Sequence, residues 1–477
     1  MTGGDPATAG DPASGDPPAP HGAQPLVIER CAVATVDAEG HEHASGHVVV
    51  DGGRIVAVGP GRATEVPRGA RRVDGDGCLV TPGLVNTHHH FSQWLTRGHA
   101  PDAILFDWLR ELYPLWALLD ADMLRAASLG SLVALASTGC TTTADHHYLF
   151  PAGAGDLLAA EVGAATEVGV RLHLSRGSMD LGRSAGGLPP DEVVEATDAA
   201  LAATEEAIDR FHDPGPGAMV RVTVAPCSPF SVTTELMREA AALARRRGAR
   251  LHTHLAETVE ELRFCTETFG CTPMEYVESV GWVGGDVWFA HGVHLDARAT
   301  ARLAATGTSV AHCPSSNGRL GAGIAPVPEL LRAGVAVGLG VDGAASNEAG
   351  QLGPEMRAAL LAGRARSGAQ AVSTRQALAM ATIGGARCLG RQDELGSLEV
   401  GKLADLAVWR LDGAAHAGIA DPVAALVLGS LPPLELLLVG GRPVVEAGEL
   451  VAFDAASVAC TVRRAATRLA QRWETVR

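Results

Sequence analysis

The chain has 477 residues, 47% of them apolar, a formal net charge of −16 and nine scattered cysteines. That balance excludes a protein built to bind a phosphate backbone, which needs a basic patch, but leaves a small heterocycle open as substrate. An odd number of cysteines with no Cys-x-x-Cys reads as reduced, buried thiols in a cytoplasmic protein.

Residues 1–25 are Gly, Pro, Ala and Asp with almost nothing to bury, so a disordered tail is expected there and not a signal peptide. No apolar run approaches the ~20 residues that span a bilayer, so no membrane is expected as a partner. From Leu26 to Val80 short β-rich runs alternate with turn signals such as Asp51-Gly52-Gly53. The same texture returns at Ala404–Trp409 and Leu436–Gly441. Both ends of the chain, residues 26–80 and 396–455, are therefore expected to build one small β-sandwich, with a C-terminal helix over 456–477.

Between them lie eight strand candidates, each followed by a helical pattern: Leu79–Val85, Gly139–Asp145, Val170–Leu174, Val220–Ala225, Ala249–Thr253, Val287–Ala290, Ser309–Ala311 and Val335–Val341. Strand–helix alternation implies a parallel sheet, and eight repeats imply closure. Residues 81–395 are thus predicted to form a (β/α)8 barrel, an α/β fold whose site lies at the C-terminal ends of its strands.

The chemically capable residues fall at those ends. His88 and His90, two apart after strand one, point the same way and can hold one ion. His254 after strand five and Asp342 after strand eight complete a four-ligand metal set. A carboxylate at the end of the run Val335–Val341 is costly unless paired or metal-bound. Glu257, three residues after His254, can move protons beside such an ion, whereas a surface carboxylate at a helix start is the plainer reading. His291 ends strand six, and His312 ends strand seven with structural and functional readings nearly even. His89 faces away, and His252, one layer deeper than His254, reads as a hydrogen-bonded core histidine. The one lysine, Lys402, lies outside the barrel, so no barrel lysine can bridge two metals and one ion is favoured.

These segments resemble the amidohydrolase superfamily, in its cytosine/guanine deaminase and triazine hydrolase branch, across residues 26–455 and through the closing motif Gly396–Asp405. Within the branch the chain is most similar to 8-oxoguanine deaminases, in Phe106–Leu109, Tyr113–Trp116, Thr141–Tyr148, Ser175–Asp180, Gly187–Pro190, Ala225–Phe230 and His312–Asn317. The resemblance implies one divalent ion, usually Zn2+ with Fe2+ as an alternative, on His88, His90, His254 and Asp342. It makes Glu257 the proton shuttle, His291 a partner of the attacking water and Asp342 both ligand and base. It puts Gln93, Tyr148, Cys227 and Asn317 among the substrate contacts. Guanine deaminases carry Arg where this chain has Cys227, so guanine itself is the less expected substrate.

The implied reaction is hydrolytic deamination of an aminopurine, 8-oxoguanine plus water giving urate and ammonia. Guanine, a pterin or an s-triazine are the alternatives, and a non-catalytic metal-binding barrel is the rival of another class. Ser92, Trp94 and Ala344 depart from the 8-oxoguanine pattern and are expected to lie on pocket loops. The expected partners are the small heterocycle and further copies of the chain in a homo-oligomer, with no nucleic acid.

Overall fold

The computed structural model describes residues 24–476; the expected tail, but for its last two positions, lies outside the described residues. Eight parallel strands close into a barrel: β1 (Leu84–Asn86), β2 (Cys140–His147), β3 (Arg171–Ser178), β4 (Val220–Pro226), β5 (Arg250–Leu255), β6 (Val287–His291), β7 (Ser309–His312) and β8 (Val337–Leu339). Pairing of Leu339 with Asn86 closes the ring. Every one of these strands is buried or nearly so, because helices cover the outer face while side chains fill the inside.

The helices are punctuated as their sequences require. Asp120, Asp156, Thr233, Thr258 and Asp296 each accept a backbone N–H at a helix start, relieving donors that have no partner within the helix. Gly248 ends the Thr234–Arg247 helix at φ +65°, a conformation that costs an L side chain energy, and lets the chain turn into β5.

The expected first strand divides. Cys78–Pro82 runs antiparallel to Leu406–Arg410 in the outer sheet, and only Leu84–Asn86 enters the barrel. Gly83 makes the passage possible: a Cβ there would lie 2.3 Å from the Thr141 side chain.

Both chain ends build one continuous nine-stranded sheet, not two separate ones. It curls until its wings meet, where Ile55 donates to the Lys402 carbonyl and accepts from Gly401 N. A single apolar core, including Ile28, Val48, Val408 and Leu436, fills the curl, so the unit is sandwich-like in packing. Asp405, in the closing motif, accepts two bonds from the buried Arg171 guanidinium (2.7 and 2.9 Å) and one from Gly440 N (2.7 Å). That bidentate pair ties the sheet to barrel strand β3. The C-terminal helix Ala455–Val476 packs on the Ala121–Ala136 helix. Among the described residues no helix is long and apolar enough to cross a membrane.

Candidate active site

His88, His90, His254 and Asp342 converge at the C-terminal mouth of the barrel, all buried, with one potential ligand atom from each within 4.8 Å of the others. Past β1 the chain makes a two-residue parallel pairing of His89–His90 with Asp342–Gly343, which brings the first and last ligand segments side by side. Gly340 permits this approach, since a Cβ there would sit 2.8 Å from that of His88. Asp342 takes φ +64° and His291 φ +73°, strained values held by the surrounding structure where β8 and β6 hand over to their loops.

Each imidazole is fixed through Nδ1. His90 Nδ1 donates to the His146 carbonyl (2.7 Å) and His254 Nδ1 to the Cys227 carbonyl (2.6 Å). His88 Nδ1 lies 2.8 Å from His252 Nε2, and His252 Nδ1 in turn donates to the Trp288 carbonyl (2.9 Å). With Nδ1 protonated on all three, the Nε2 lone pairs face one point. His90 Nε2 and His254 Nε2 stand only 3.1 Å apart, and Asp342 Oδ1 lies 3.3 and 3.2 Å from His88 Nε2 and His90 Nε2. The buried His88 Nε2 has no hydrogen-bond partner. Converging lone pairs, an anionic oxygen and an orphaned nitrogen are what a tetrahedral divalent cation satisfies, so the donor set fits zinc.

The electrostatics agree. Burial, reinforced by His90 and His291, pushes His254 down to about 3, keeping it a neutral donor. Burial alone would raise Asp342, but the imidazoles of His88, His90 and His291 beside it outweigh that and hold the carboxylate well below its ordinary range. The far oxygen of Asp342 accepts from Ser316 Oγ (2.6 Å) and faces Ser346 Oγ (3.3 Å).

Glu257 and His291 stand beside this centre, with Glu257 Oε2 3.6 Å from His291 Nε2 and Asp342 Oδ2 3.9 Å from the same nitrogen. Burial, then the charges of Asp342 and Glu261, raise Glu257 well above the usual carboxylate range, which favours its protonated, proton-donating form. A cavity opens on these groups, lined by His90, His254, Asp342, Glu257 and His291 together with Gln93, Tyr148, Cys227, Ser228 and Ser346. Leu105, Trp108, Leu109 and Tyr113 form a wall of it, with Phe230 and Leu320. A mostly apolar pocket with a few polar groups around a proton donor suits a flat heterocycle.

Of the expected substrate contacts, Gln93, Tyr148 and Cys227 line the cavity. Asn317 does not: it stands behind His291 and accepts that ring's Nδ1–H (2.9 Å), which orients the histidine. His252 supports His88, and His312 is buried outside the cavity lining. His89 turns away, its Nδ1 accepting from His90 N (2.7 Å) and its ring against Phe91. Ser92, Trp94 and Ala344, expected on the pocket, are not among its lining residues. Sequence reasoning assigned no role to Trp108, Tyr113, Ser316 or Glu261. The signal for the first two was an amphipathic helix, Leu105–Trp116, inserted between the first two barrel strands.

A model of the amidohydrolase family matches residues 79–444. An 8-oxoguanine deaminase from Pseudomonas aeruginosa is 46% identical over 442 residues, covering 92% of this chain and 98% of the relative. An isoxanthopterin deaminase from an unknown prokaryotic organism is 41% identical, covering 78% and 82%. Among solved structures, an atrazine chlorohydrolase from Arthrobacter aurescens TC1, complexed with zinc, superposes with a TM-score of 0.87 at 33% identity, covering 92% of this chain and 100% of that one.

Proposed function

The chain belongs to the amidohydrolase family, and on that premise we propose that it is a hydrolytic deaminase of an amino-substituted purine, with 8-oxoguanine as its best substrate and urate and ammonia as products. The observation that carries hydrolysis is the meeting of Glu257, His291 and Asp342 on one cavity wall beside the candidate ligands. The choice of ring rests on the near full-length likeness to the Pseudomonas enzyme.

In this reading His88, His90, His254 and Asp342 hold one zinc ion, with Fe2+ as a substitute. The ion supplies Lewis acidity, bringing the pKa of water down towards ~7. Asp342, held as a carboxylate, takes the proton of the attacking water. Glu257 donates its proton to the ring nitrogen next to C2, which makes that carbon electrophilic. His291, held by Asn317, steadies the oxygen that adds to C2. Glu257 then relays the proton from Asp342 to the departing amine and takes up the proton of the C2 hydroxyl, so that ammonia leaves, the C2 carbonyl of urate remains and Glu257 is protonated again. Gln93 and Tyr148 hold polar edges of the ring, and the apolar wall excludes bulk water.

The enzyme is proposed to work in the cytoplasm, a compartment supported by nine cysteines of which none is disulphide-bonded. The expected homo-oligomer is read directly by analytical ultracentrifugation.

The deciding experiment follows ammonia release from a panel of aminopurines, pterins and triazines. kcat/KM for 8-oxoguanine should exceed that for guanine at least roughly tenfold, about 1.4 kcal/mol of differential transition-state binding. Cys227→Arg should move the preference towards guanine. A pterin outrunning both purines would favour the reading suggested by the isoxanthopterin relative and leave the metal chemistry intact.

A further inference from the structure

Three helices begin with the same signature, Ser or Thr at the cap and Glu or Gln three residues later. Two close it in the ordinary way. Thr272 Oγ1 accepts from Glu275 N (3.3 Å) while the Glu275 carboxylate returns to Thr272 N (3.0 Å). Ser373 and Gln376 do the same (3.1 and 2.8 Å).

The third helix, Val259–Phe269, keeps only half of the box. Thr258 Oγ1 accepts from Glu261 N (3.4 Å), but the Glu261 carboxylate passes beyond Thr258 to the two residues before it. One oxygen accepts from Ala256 N (2.8 Å) and the other from Glu257 N (2.9 Å). This carboxylate is fully buried, where a charge is costly unless its oxygens are occupied.

The segment it grips is the turn from β5 that presents Glu257 to the cavity. Ala256 sits at φ +53°, a value that a non-glycine residue keeps only when its surroundings impose it. On its other side the turn is tied to the one carrying His291: Gly292 N donates to the Leu255 carbonyl (3.0 Å) and His294 N to the Ala256 carbonyl (2.9 Å). The backbone bearing Glu257 is thus held between the His291 turn and one buried carboxylate.

We infer that Glu261 is a positioning residue, which clamps the strained Ala256–Glu257 turn so that the Glu257 carboxyl keeps its place against His291 and the substrate ring. This rests on the reading of Glu257 as proton shuttle. A shift of an ångström in such a group can cost about 100-fold in rate, whereas an ordinary cap contributes to stability alone.

The test is Glu261→Gln in the metal-loaded enzyme, with Glu275→Gln as the matched control at an ordinary box. The amide has one accepting oxygen, so one of the two N–H groups loses its partner. Glu261→Gln should keep its zinc and a KM within about threefold, lose at least about tenfold in kcat, and exchange the Ala256 and Glu257 amide hydrogens faster. Glu275→Gln should leave kcat and that exchange unchanged. Because Glu261 acts through Glu257, the Glu257→Gln/Glu261→Gln double variant should be no slower than Glu257→Gln alone. Should Glu261→Gln not fold, Glu261→Asp, which keeps the charge but shortens the reach, carries the same measurements. A wild-type kcat in the Glu261 variant, unaltered exchange, or losses that multiply in the double variant would overturn the clamp. Normal turnover by Glu257→Gln would instead sink the shuttle reading, and hydrogen exchange would still decide the clamp.

Discussion

His252 tests how the candidate metal centre is built, because it contributes no ligand yet should control metal affinity. Its Nε2 accepts from His88 Nδ1 at 2.8 Å, its Nδ1 donates to the Trp288 carbonyl at 2.9 Å, and its ring stacks on Trp288 with centroids 4.4 Å apart. His252→Phe keeps the stack and the approximate volume but removes both hydrogen bonds. His88 is fully buried, so its Nδ1–H finds no water in exchange, and the ring loses what fixed its tautomer and aim. An orphaned buried donor costs about 1–3 kcal/mol, and loss of such a support to a ligating histidine typically weakens metal binding about 10–100-fold. The expected result is therefore a zinc Kd raised about 10–100-fold, or about 1.4–2.8 kcal/mol. The apo-protein should be destabilised as well, since the Trp288 carbonyl also loses a donor. Competition with a chromophoric chelator on apo-protein measures the Kd directly. An unchanged Kd would refute the supporting role. Failure to retain zinc at all would mean that His252 is itself a ligand.

Glu257→Gln should retain metal and fold while losing at least the ~10²-fold in kcat typical of general acid–base groups; near-normal turnover would remove Glu257 from the chemistry. Elemental analysis of metal-replete protein should find one equivalent per chain at the site, and two would contradict a mononuclear centre. Because burial and the charges of Asp342 and Glu261 raise Glu257, its proton-donating form persists to higher pH than in an ordinary carboxyl, and kcat should fall as pH rises through that raised pKa. A flat alkaline limb would show that another group donates the proton.

The barrel and the four candidate ligands were legible because both follow from strong, local signals. A buried parallel strand reads as a short apolar run, and a polar residue closing such a run stands at the rim, as Asp342 does after Val341. The sequence does carry a break in the first strand, Pro82-Gly83 within Leu79–Val85, but only tertiary packing assigns Leu79 to the sheet and Val85 to the barrel. The place of Asn317 behind His291 was not legible for a similar reason. Its motif resembles a substrate-binding segment, but its Oδ1 is taken by His291, a partner 26 residues away that no spacing rule connects to it. Glu261 follows Thr258 at capping-box spacing, and only the geometry shows its carboxylate reaching past the cap.

The same distinction between local pattern and packing relocates the determinants of substrate choice. Trp94 departs from the 8-oxoguanine pattern, yet its ring fills a gap opened by two glycines: a Cβ at Gly130 would lie 2.3 Å from Trp94 Nε1, and one at Gly350 would lie 2.5 Å from its ring. A bulky residue matched by absent side chains is a packing solution, and Trp94 lines no part of the cavity. Gln93, Trp108, Tyr113, Tyr148 and Cys227 do line it and are the candidates for choosing the ring. Gln93 lies directly over Gly343, where a Cβ would come within 1.8 Å of its Oε1, so the position of its amide depends on the residue after Asp342 remaining glycine. Cys227 acts through two different atoms. Its carbonyl orients His254, while its side chain lines the cavity. Substitution changes only the side chain, so variants at Cys227 should alter which heterocycle is accepted while leaving the ligand set aligned. That separability makes Cys227→Arg a test of specificity, uncomplicated by metal loss.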